Sequence, residues 1–246
     1  MDEQVSLKAV FNQILAYQFI IILSRAVGFL RDYLIILFVG LGALSDQVFF
    51  LLSYADVLMT LFLGGGSALF VSVAMAKHSG SSDTLGSGVV FYLLLGIALV
   101  GIEISSGASF GDTLFSGLKS NSDFQADYFI SLIMLCFVLP TGIFNGVFLF
   151  YDKLYLQPLM NLFFSILIVL GLIGLFNVTV ITTQSVVIVL VFAACVRFFV
   201  SLFVSLHLHR INWKLLGFVN EISFYKNLFV SGLSVGLIFI IPFVFR

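Results

Sequence analysis

The sequence comprises 246 residues, of which 61% are hydrophobic and only 9% are charged. Soluble domains have roughly 45–50% apolar and about 25% charged residues, so this composition excludes an ordinary soluble globular protein. The 11 Lys and Arg residues are balanced by 12 Asp and Glu residues, which excludes a nucleic-acid-binding surface built on excess positive charge. We therefore predict an all-α, polytopic membrane protein whose main solvent is lipid.

A membrane-crossing helix needs about 20 apolar residues. Apolar segments of this length follow one another in the sequence with short connections. Their predicted bounds are 9–39, 47–76, 89–106, 128–150, 154–176, 180–206 and 227–245. The fifth and sixth segments are the least clearly separated, so we predict six or seven spans in a single lobe. Basic residues favour one side of the membrane, with Lys8, Lys77, Lys153, Arg210, Lys214 and Lys226 there and Lys119 opposite. This asymmetry predicts a cytoplasmic N-terminus.

The first segment contains three charged residues, Arg25, Arg31 and Asp32, within a run of 31 residues. As a helix this run is about 46 Å long, whereas the hydrocarbon core is about 30 Å thick. The helix must therefore tilt, bend or protrude, and Gly28 is the expected hinge. Each Arg or Asp at the bilayer centre costs about 2.5–3.5 kcal/mol, so these side chains should face protein or water.

Two interpretations of these charges remain open at the sequence level. Arg25 and Asp32 are seven residues apart and share a helix face, whereas Arg31 points about 120° away. In the first interpretation Asp32 neutralises Arg25, and Arg31 extends to the membrane interface or pairs with Asp56 of the second segment. In the second, both arginines line a water-filled cavity, where planar guanidinium groups grip the phosphate oxygens of an anionic substrate.

The second segment opens with Ser45 and Asp46, and either residue is a candidate N-cap. Further along it, Gly64, Gly65 and Gly66 mark a flexible point or a tight helix crossing. Pro140 should bend the fourth segment, because proline removes one backbone hydrogen bond.

Isolated charges and polar motifs elsewhere do not indicate an enzyme. Glu103 and Arg197 are expected to be interfacial or paired. The run Gly232–Gly236 matches the G-x-S-x-G pattern of serine hydrolases, but that chemistry needs a strand-to-helix turn and a histidine base. All three histidines, His78, His207 and His209, lie in predicted cytoplasmic loops. We predict no catalysis, no metal site and no cofactor, and we expect Cys136 and Cys195 to be inert thiols.

The stretch Ser24-Arg25-Ala26-Val27-Gly28-Phe29-Leu30-Arg31-Asp32, followed by the Gly-rich turn and helix start at 40–50, resembles the opening of the MurJ/MviN lipid II flippases. In that family a first helix with Ser-Arg-x-x-Gly-x-x-Arg-Asp leads through a Gly-rich turn into a helix beginning Asp-Ala-Phe-Phe. The resemblance continues more weakly through 142–151, 156–161 and 232–238. It therefore covers nearly the entire chain.

The resemblance implies the N-terminal lobe of a MATE-like exporter, in which two helical lobes enclose a cationic cavity in the bacterial inner membrane. The implied substrate is an undecaprenyl-pyrophosphate-linked cell-wall precursor. Arg25 and Arg31 would be cavity arginines, with Asp32 in the same motif, and Asp46 would be the acidic residue that opens the second helix. The implied partners are this glycolipid, membrane lipid, and a missing C-terminal lobe or a second copy.

The sequence departs from the family pattern in the second segment. Met59-Thr60 stands where members usually have two arginines, and Gly64 stands where a glutamate is common. Two alternatives therefore stay open: a flippase for another lipid-linked polysaccharide, or a degenerate relative that acts as a membrane scaffold without transport.

Overall fold

The computed structural model describes residues 2–63, 66–77, 82–107, 122–177, 182–209, 219 and 222–244. Within these ranges all regular secondary structure is α-helical. The helices are α1 (Asp2–Val39), α2 (Ala43–Leu63), α3 (Gly66–Lys77), α4 (Ser82–Ser105), α5 (Ser122–Phe150), α6 (Leu156–Phe176), α7 (Thr183–His209) and α8 (Ile222–Val244). The prediction of an all-α protein is confirmed for this part of the chain.

Four of the described helices are long and apolar enough to cross a membrane. These candidate spans are Asp83–Ser105, Phe124–Phe150, Leu156–Phe176 and Thr183–Leu208. The shortest has 21 residues and, at 1.5 Å per residue, is about 32 Å long, which matches the hydrocarbon thickness. The transmembrane character of the chain is therefore supported, whereas the count of six or seven spans stays a prediction.

Two helices, α2 and α3, occupy the predicted second segment 47–76. They lie on either side of Gly64 and Gly65, which fall outside the described residues. Gly66 is the first residue of α3. The two alternatives for the three glycines, a flexible point or a tight crossing, both stay predictions.

Helix α5 forms the centre of the bundle, because it packs against α2, α3, α4 and α7. It is the most deeply buried of the four candidate spans, and its side chains Leu132, Leu139 and Phe144 are completely buried. Pro140 lies inside this helix and is buried. The helix continues through the proline, and the bend predicted there stays a prediction.

Helix α1 lies at the periphery and packs against α6. The Phe38 and Phe176 rings stack at the ends of these two helices, with centroids 4.8 Å apart. Ile35 of α1 is fully buried, but Phe19 and Phe29 are 67% and 76% exposed. Much of the α1 surface therefore faces away from the other described helices.

Helix α5 approaches α3 closely at Gly146. A Cβ atom on this glycine would lie 2.7 Å from the Ala68 carbonyl oxygen and 2.8 Å from Val71 Cβ. Small residues permit such backbone contacts between membrane helices. Gly146 therefore sets the distance between these two helices.

We expect Gly146→Ala to destabilise the folded chain by about 1–3 kcal/mol, the usual cost of overpacking a tight core. The measurement is chemical unfolding of the purified protein in detergent, followed by circular dichroism. Gly101→Ala on α4 is the matched control, because nothing lies within 4 Å of a Cβ built at Gly101. Equal stability of the two variants would contradict the close approach.

Candidate functional site

The turn between α1 and α2 depends on glycine conformations. Gly40 has φ +92° and Gly42 has φ +136°, backbone angles that residues with a Cβ rarely adopt. The Ser45 hydroxyl accepts a hydrogen bond from the Gly42 N–H at 3.2 Å and donates to the Gly42 carbonyl at 2.9 Å. Gly42 therefore occupies the N-cap position of α2.

This geometry corrects the expectation that Ser45 or Asp46 caps the helix. The glycine turn allows α2 to begin at Ala43, so Ser45 lies within the first turn and reaches back to the cap. Asp46 also lies in the first turn and is exposed. A carboxylate at this position interacts favourably with the positive end of the helix dipole.

Arg31 and Asp32 form an ion pair on α1. Arg31 Nη2 lies 2.7 Å from Asp32 Oδ1, and Arg31 Nε donates to the same oxygen at 2.8 Å. The side chains are 20% and 42% exposed, so the pair lies at the boundary between protein and surroundings. The sequence had suggested Arg25 as the partner of Asp32 and Asp56 as a partner of Arg31. The long arginine side chain reaches its immediate neighbour, and the Asp56 side chain lies outside the described part.

Arg25 is exposed on α1, about 9 Å along the helix axis from Arg31 at 1.5 Å per residue. Among the side chains that the structure describes, none forms a hydrogen bond or ion pair with it. Gly28 lies between the two arginines, and a Cβ there would meet nothing within 4 Å. The helix is continuous through Gly28, so the hinge stays a prediction.

The exposed side of α1 combines a cation with apolar surface. Phe29 and Asp32 follow Arg25 by four and seven residues and therefore share its helix face. We call these three residues the Arg25 face. A guanidinium beside an exposed aromatic ring is suited to an amphiphilic anion. The phosphate of such an anion binds the guanidinium, and its hydrocarbon chain packs against the ring.

The structure brings only part of the predicted site together. Arg31 and Asp32 are in contact, and Arg25 lies two turns away on the same helix. Asp46 lies on the next helix, and no contact between it and the two arginines is present among the described side chains. Pro140 belongs to the buried helix α5, and Gly64 and Gly65 lie outside the described residues.

Arg197 is a buried charge whose surroundings the sequence could not reveal. Its side chain is 7% exposed, and its Nη2 donates to Asn161 Oδ1 at 2.6 Å. Its guanidinium carbon lies 5.3 Å from the centroid of the Phe164 ring, within the range of a cation–π interaction. The expectation that Arg197 is paired is therefore confirmed. Its partner is the neutral side-chain amide of Asn161, 36 residues earlier in the sequence.

Glu103 is also buried, with 5% exposure. Its carboxyl group interacts electrostatically with two phenols, Tyr128 of α5 and Tyr54 of α2. The Tyr128 hydroxyl donates to the Tyr54 hydroxyl at 3.2 Å. The phenols come from distant parts of the chain, so no sequence motif connects them with Glu103.

Cys136 and Cys195 are free thiols and half-buried. Within the described ranges, no group of three or more His, Cys, Asp or Glu side chains is arranged to hold a metal ion.

No protein-family model, curated protein or solved structure matches this chain. The likeness to the lipid II flippases therefore depends on the motif residues themselves.

We expect Asn161→Ala to lower the free energy of unfolding by about 1.5–3 kcal/mol, because the buried Arg197 loses a charge-assisted hydrogen bond. Chemical unfolding in detergent measures the change. Gln157→Ala is the control, because Gln157 lies one turn earlier on α6 and is exposed, so its removal should change stability by less than about 0.5 kcal/mol. Equal losses would contradict the structural role of the Asn161–Arg197 contact.

Proposed function

We propose that this chain is one helical lobe of a flippase that moves an undecaprenyl-pyrophosphate-linked cell-wall precursor across the bacterial inner membrane. The observation that carries the proposal is the exposed guanidinium of Arg25 within a long apolar helix. Arg31 and Asp32 form a partly exposed ion pair about two turns further along. The resemblance to the MurJ/MviN family supplies the identity of the substrate.

The free-energy cost of placing the Arg25 guanidinium in hydrocarbon restricts what can face this side of α1. A guanidinium at the centre of the hydrocarbon costs about 2.5–3.5 kcal/mol relative to water. Water, a polar protein surface or an anion must therefore meet it. A pyrophosphate is a suitable anion, because its oxygens accept paired hydrogen bonds from the planar guanidinium.

In the ion pair, the Asp32 carboxylate neutralises Arg31, and an anionic ligand displaces this carboxylate from the arginine. In the described structure Arg31 directs both Nε and Nη2 to one oxygen of Asp32. An arriving pyrophosphate competes for these donors, and Asp32, which is 42% exposed, returns to water. Departure of the ligand restores the ion pair. This exchange lets the site bind an anion and release it without a strong residual charge.

Transport requires a second set of helices opposite the Arg25 face. A C-terminal lobe or a second copy of the chain provides this wall, and rocking of the two bodies exposes the arginines to each leaflet in turn. The polyprenyl tail stays in lipid beside Phe29, which is 76% exposed. No covalent bond changes, so the protein acts as a transporter and not as an enzyme.

The same site suits other polyprenyl-pyrophosphate-linked glycans, because the arginines contact the phosphates and not the sugar. A non-transporting scaffold is the second candidate. Met59-Thr60 favours it, because these residues stand where family members have cavity arginines. The exposed apolar side chains of α1, such as Phe19 and Ile22, also offer surface to another membrane helix.

We expect Arg25→Ala and Arg31→Ala, each made in the full-length protein, to abolish growth of a flippase-depleted strain that the unmodified protein supports. Loss of one charge-assisted contact of about 1.5–3 kcal/mol lowers phosphate affinity about 10- to 150-fold. Growth on plates and protein level by immunoblot are the measurements.

Leu23→Ala is the matched control, because position 23 lies near the depth of Arg25 on the opposite side of the helix. It should support normal growth. Normal growth of both arginine variants would refute the flippase, and normal growth together with retained capture of a membrane partner would favour the scaffold.

A further inference from the structure

The exposed surface of α1 contains two stripes of different chemistry. The first stripe, which we call the apolar stripe, consists of Phe19, Leu23, Ala26, Leu30, Tyr33 and Leu37, all exposed. The second stripe, which we call the Gln18 stripe, consists of Phe11, Leu15, Gln18 and Ile22, also exposed. In both stripes the spacing alternates between four and three residues, so each stripe follows one face of the helix. The Gln18 stripe continues without a break into the Arg25 face.

Polar side chains recur at every seventh position along the Gln18 stripe and the Arg25 face, at Gln18, Arg25 and Asp32. An amide or a charge that faces hydrocarbon loses its hydrogen bonds with water and is costly there. The apolar stripe is therefore the surface suited to lipid. A seven-residue repeat is the spacing with which one α-helix packs along another, so the Gln18 stripe is suited to a second helix.

The side of α1 that packs against α6 is a third face. Half-buried residues mark this face at Tyr17, Ile21, Ser24 and Gly28, and it ends at the buried Ile35. Its centre lies about 120° around the helix from the Gln18 stripe. The Gln18 stripe is therefore left uncovered by the other helices that the structure describes.

Helix α1 extends past its neighbour α6. The stacked rings of Phe38 and Phe176 bring the C-terminal ends of the two helices level, and α6 has 21 residues, so α6 begins near the level of Gln18. At 1.5 Å per residue, Phe11 lies about 10 Å beyond that level. Because the length of α6 already matches the hydrocarbon thickness, Phe11 and Leu15 lie at or beyond the membrane boundary. Their exposed fractions are 60% and 52%, and such apolar surface outside hydrocarbon marks a contact with protein.

We propose that α1 of a second copy of this chain packs along the Gln18 stripe. The inference rests on the proposed function, in which every copy of α1 crosses the membrane in the same direction. Two such helices are parallel, so each residue of the stripe faces the same residue of the other copy. Phe11, Leu15 and Ile22 pack against their counterparts. The two Gln18 amides bond to each other, because each has both donors and an acceptor.

Arg25 ends this contact. In a parallel pair the two Arg25 guanidinium groups would meet, and like charges repel each other. The two helices therefore diverge after Ile22 and leave a gap between the two Arg25 faces. This gap supplies the opposing wall that the proposed transport requires, and one copy alone provides only half of it.

Disulfide cross-linking in native membranes tests the pairing. In a full chain without its native cysteines, Leu15→Cys and Gln18→Cys should form disulfide-linked dimers on oxidation, because a disulfide needs Cβ atoms about 3.5–4.5 Å apart. Leu23→Cys on the apolar stripe should stay monomeric. Phe29→Cys, on the same face as Gln18 but beyond Arg25, should also stay monomeric, because the helices have diverged. Non-reducing gel electrophoresis is the measurement.

Three results of this experiment would overturn the proposal. They are monomers for both Leu15→Cys and Gln18→Cys, a dimer of equal strength for Leu23→Cys, and a disulfide from Gln18→Cys to a different membrane protein in place of a second copy. A dimer for Phe29→Cys as strong as that for Gln18→Cys would overturn the divergence at Arg25.

A charge placed in the stripe should separate the two copies. Leu15→Lys should abolish the dimer, because two ammonium groups then meet in the apolar contact. Ala16→Lys is the matched control, because Ala16 is exposed at nearly the same depth but lies about 100° around the helix. Stepwise photobleaching of the labelled chain in lipid bilayers counts the copies, and both variants should keep the wild-type circular dichroism spectrum. A dimer that persists in Leu15→Lys would contradict the proposal.

Growth of a flippase-depleted strain separates this proposal from the proposed function. Leu15→Lys should fail to support growth, whereas Ala16→Lys should support it. Normal growth of Leu15→Lys after loss of the dimer would overturn the second copy as the opposing wall and leave the flippase standing. Normal growth of Arg25→Ala with the Gln18→Cys dimer intact would refute the flippase and leave the helix pairing standing.

Discussion

The free-energy cost of placing a guanidinium group in hydrocarbon constrains the whole molecule. Arg25 is exposed on a helix whose neighbouring side chains are mostly apolar, and lipid would not solvate its charge if α1 crosses the membrane as the sequence predicts. An isolated bundle in lipid would have to tolerate about 2.5–3.5 kcal/mol for this one residue, a large share of a typical folding free energy. A hydrated or polar surface opposite α1 removes this cost. Arg25 is therefore the residue on which the proposed phosphate site depends.

The packing of the bundle leaves much of the α1 surface uncovered by the other described helices. Helix α5 takes the central position and contacts α2, α3, α4 and α7, so the core does not require the outer side of α1. Helix α1 is instead held through α6, where Ile35 is buried and Phe38 stacks on Phe176. The Gly40 and Gly42 conformations then turn the chain into α2. A helix fixed along one side presents its remaining surface to a ligand or to another helical body.

The all-α class could be predicted from the sequence because apolar length and turn residues are local properties, whereas the predicted segment 47–76 contains two helices. The helix α6, for example, occupies Leu156–Phe176, against an apolar segment predicted at 154–176. Side-chain partners could not be predicted in this way. Asn161 meets Arg197 across 36 positions, and Tyr54 meets Tyr128 across 74, because packing brings distant helices together. One of the two interpretations left open paired Asp32 with Arg25 from helix periodicity. In the structure Asp32 pairs with the adjacent Arg31.

The hydration of the Arg25 face is measured most directly by cysteine labelling in native membranes. In a functional chain with Cys136 and Cys195 replaced by alanine, Arg25→Cys is treated with a membrane-impermeant thiol reagent from each side in turn. Leu23→Cys, near the same depth but facing the opposite way, is treated in parallel. The account predicts rapid labelling at position 25 and little at position 23. Failure of the reagent to reach position 25 from either side would contradict a hydrated chamber and the transport mechanism built on it.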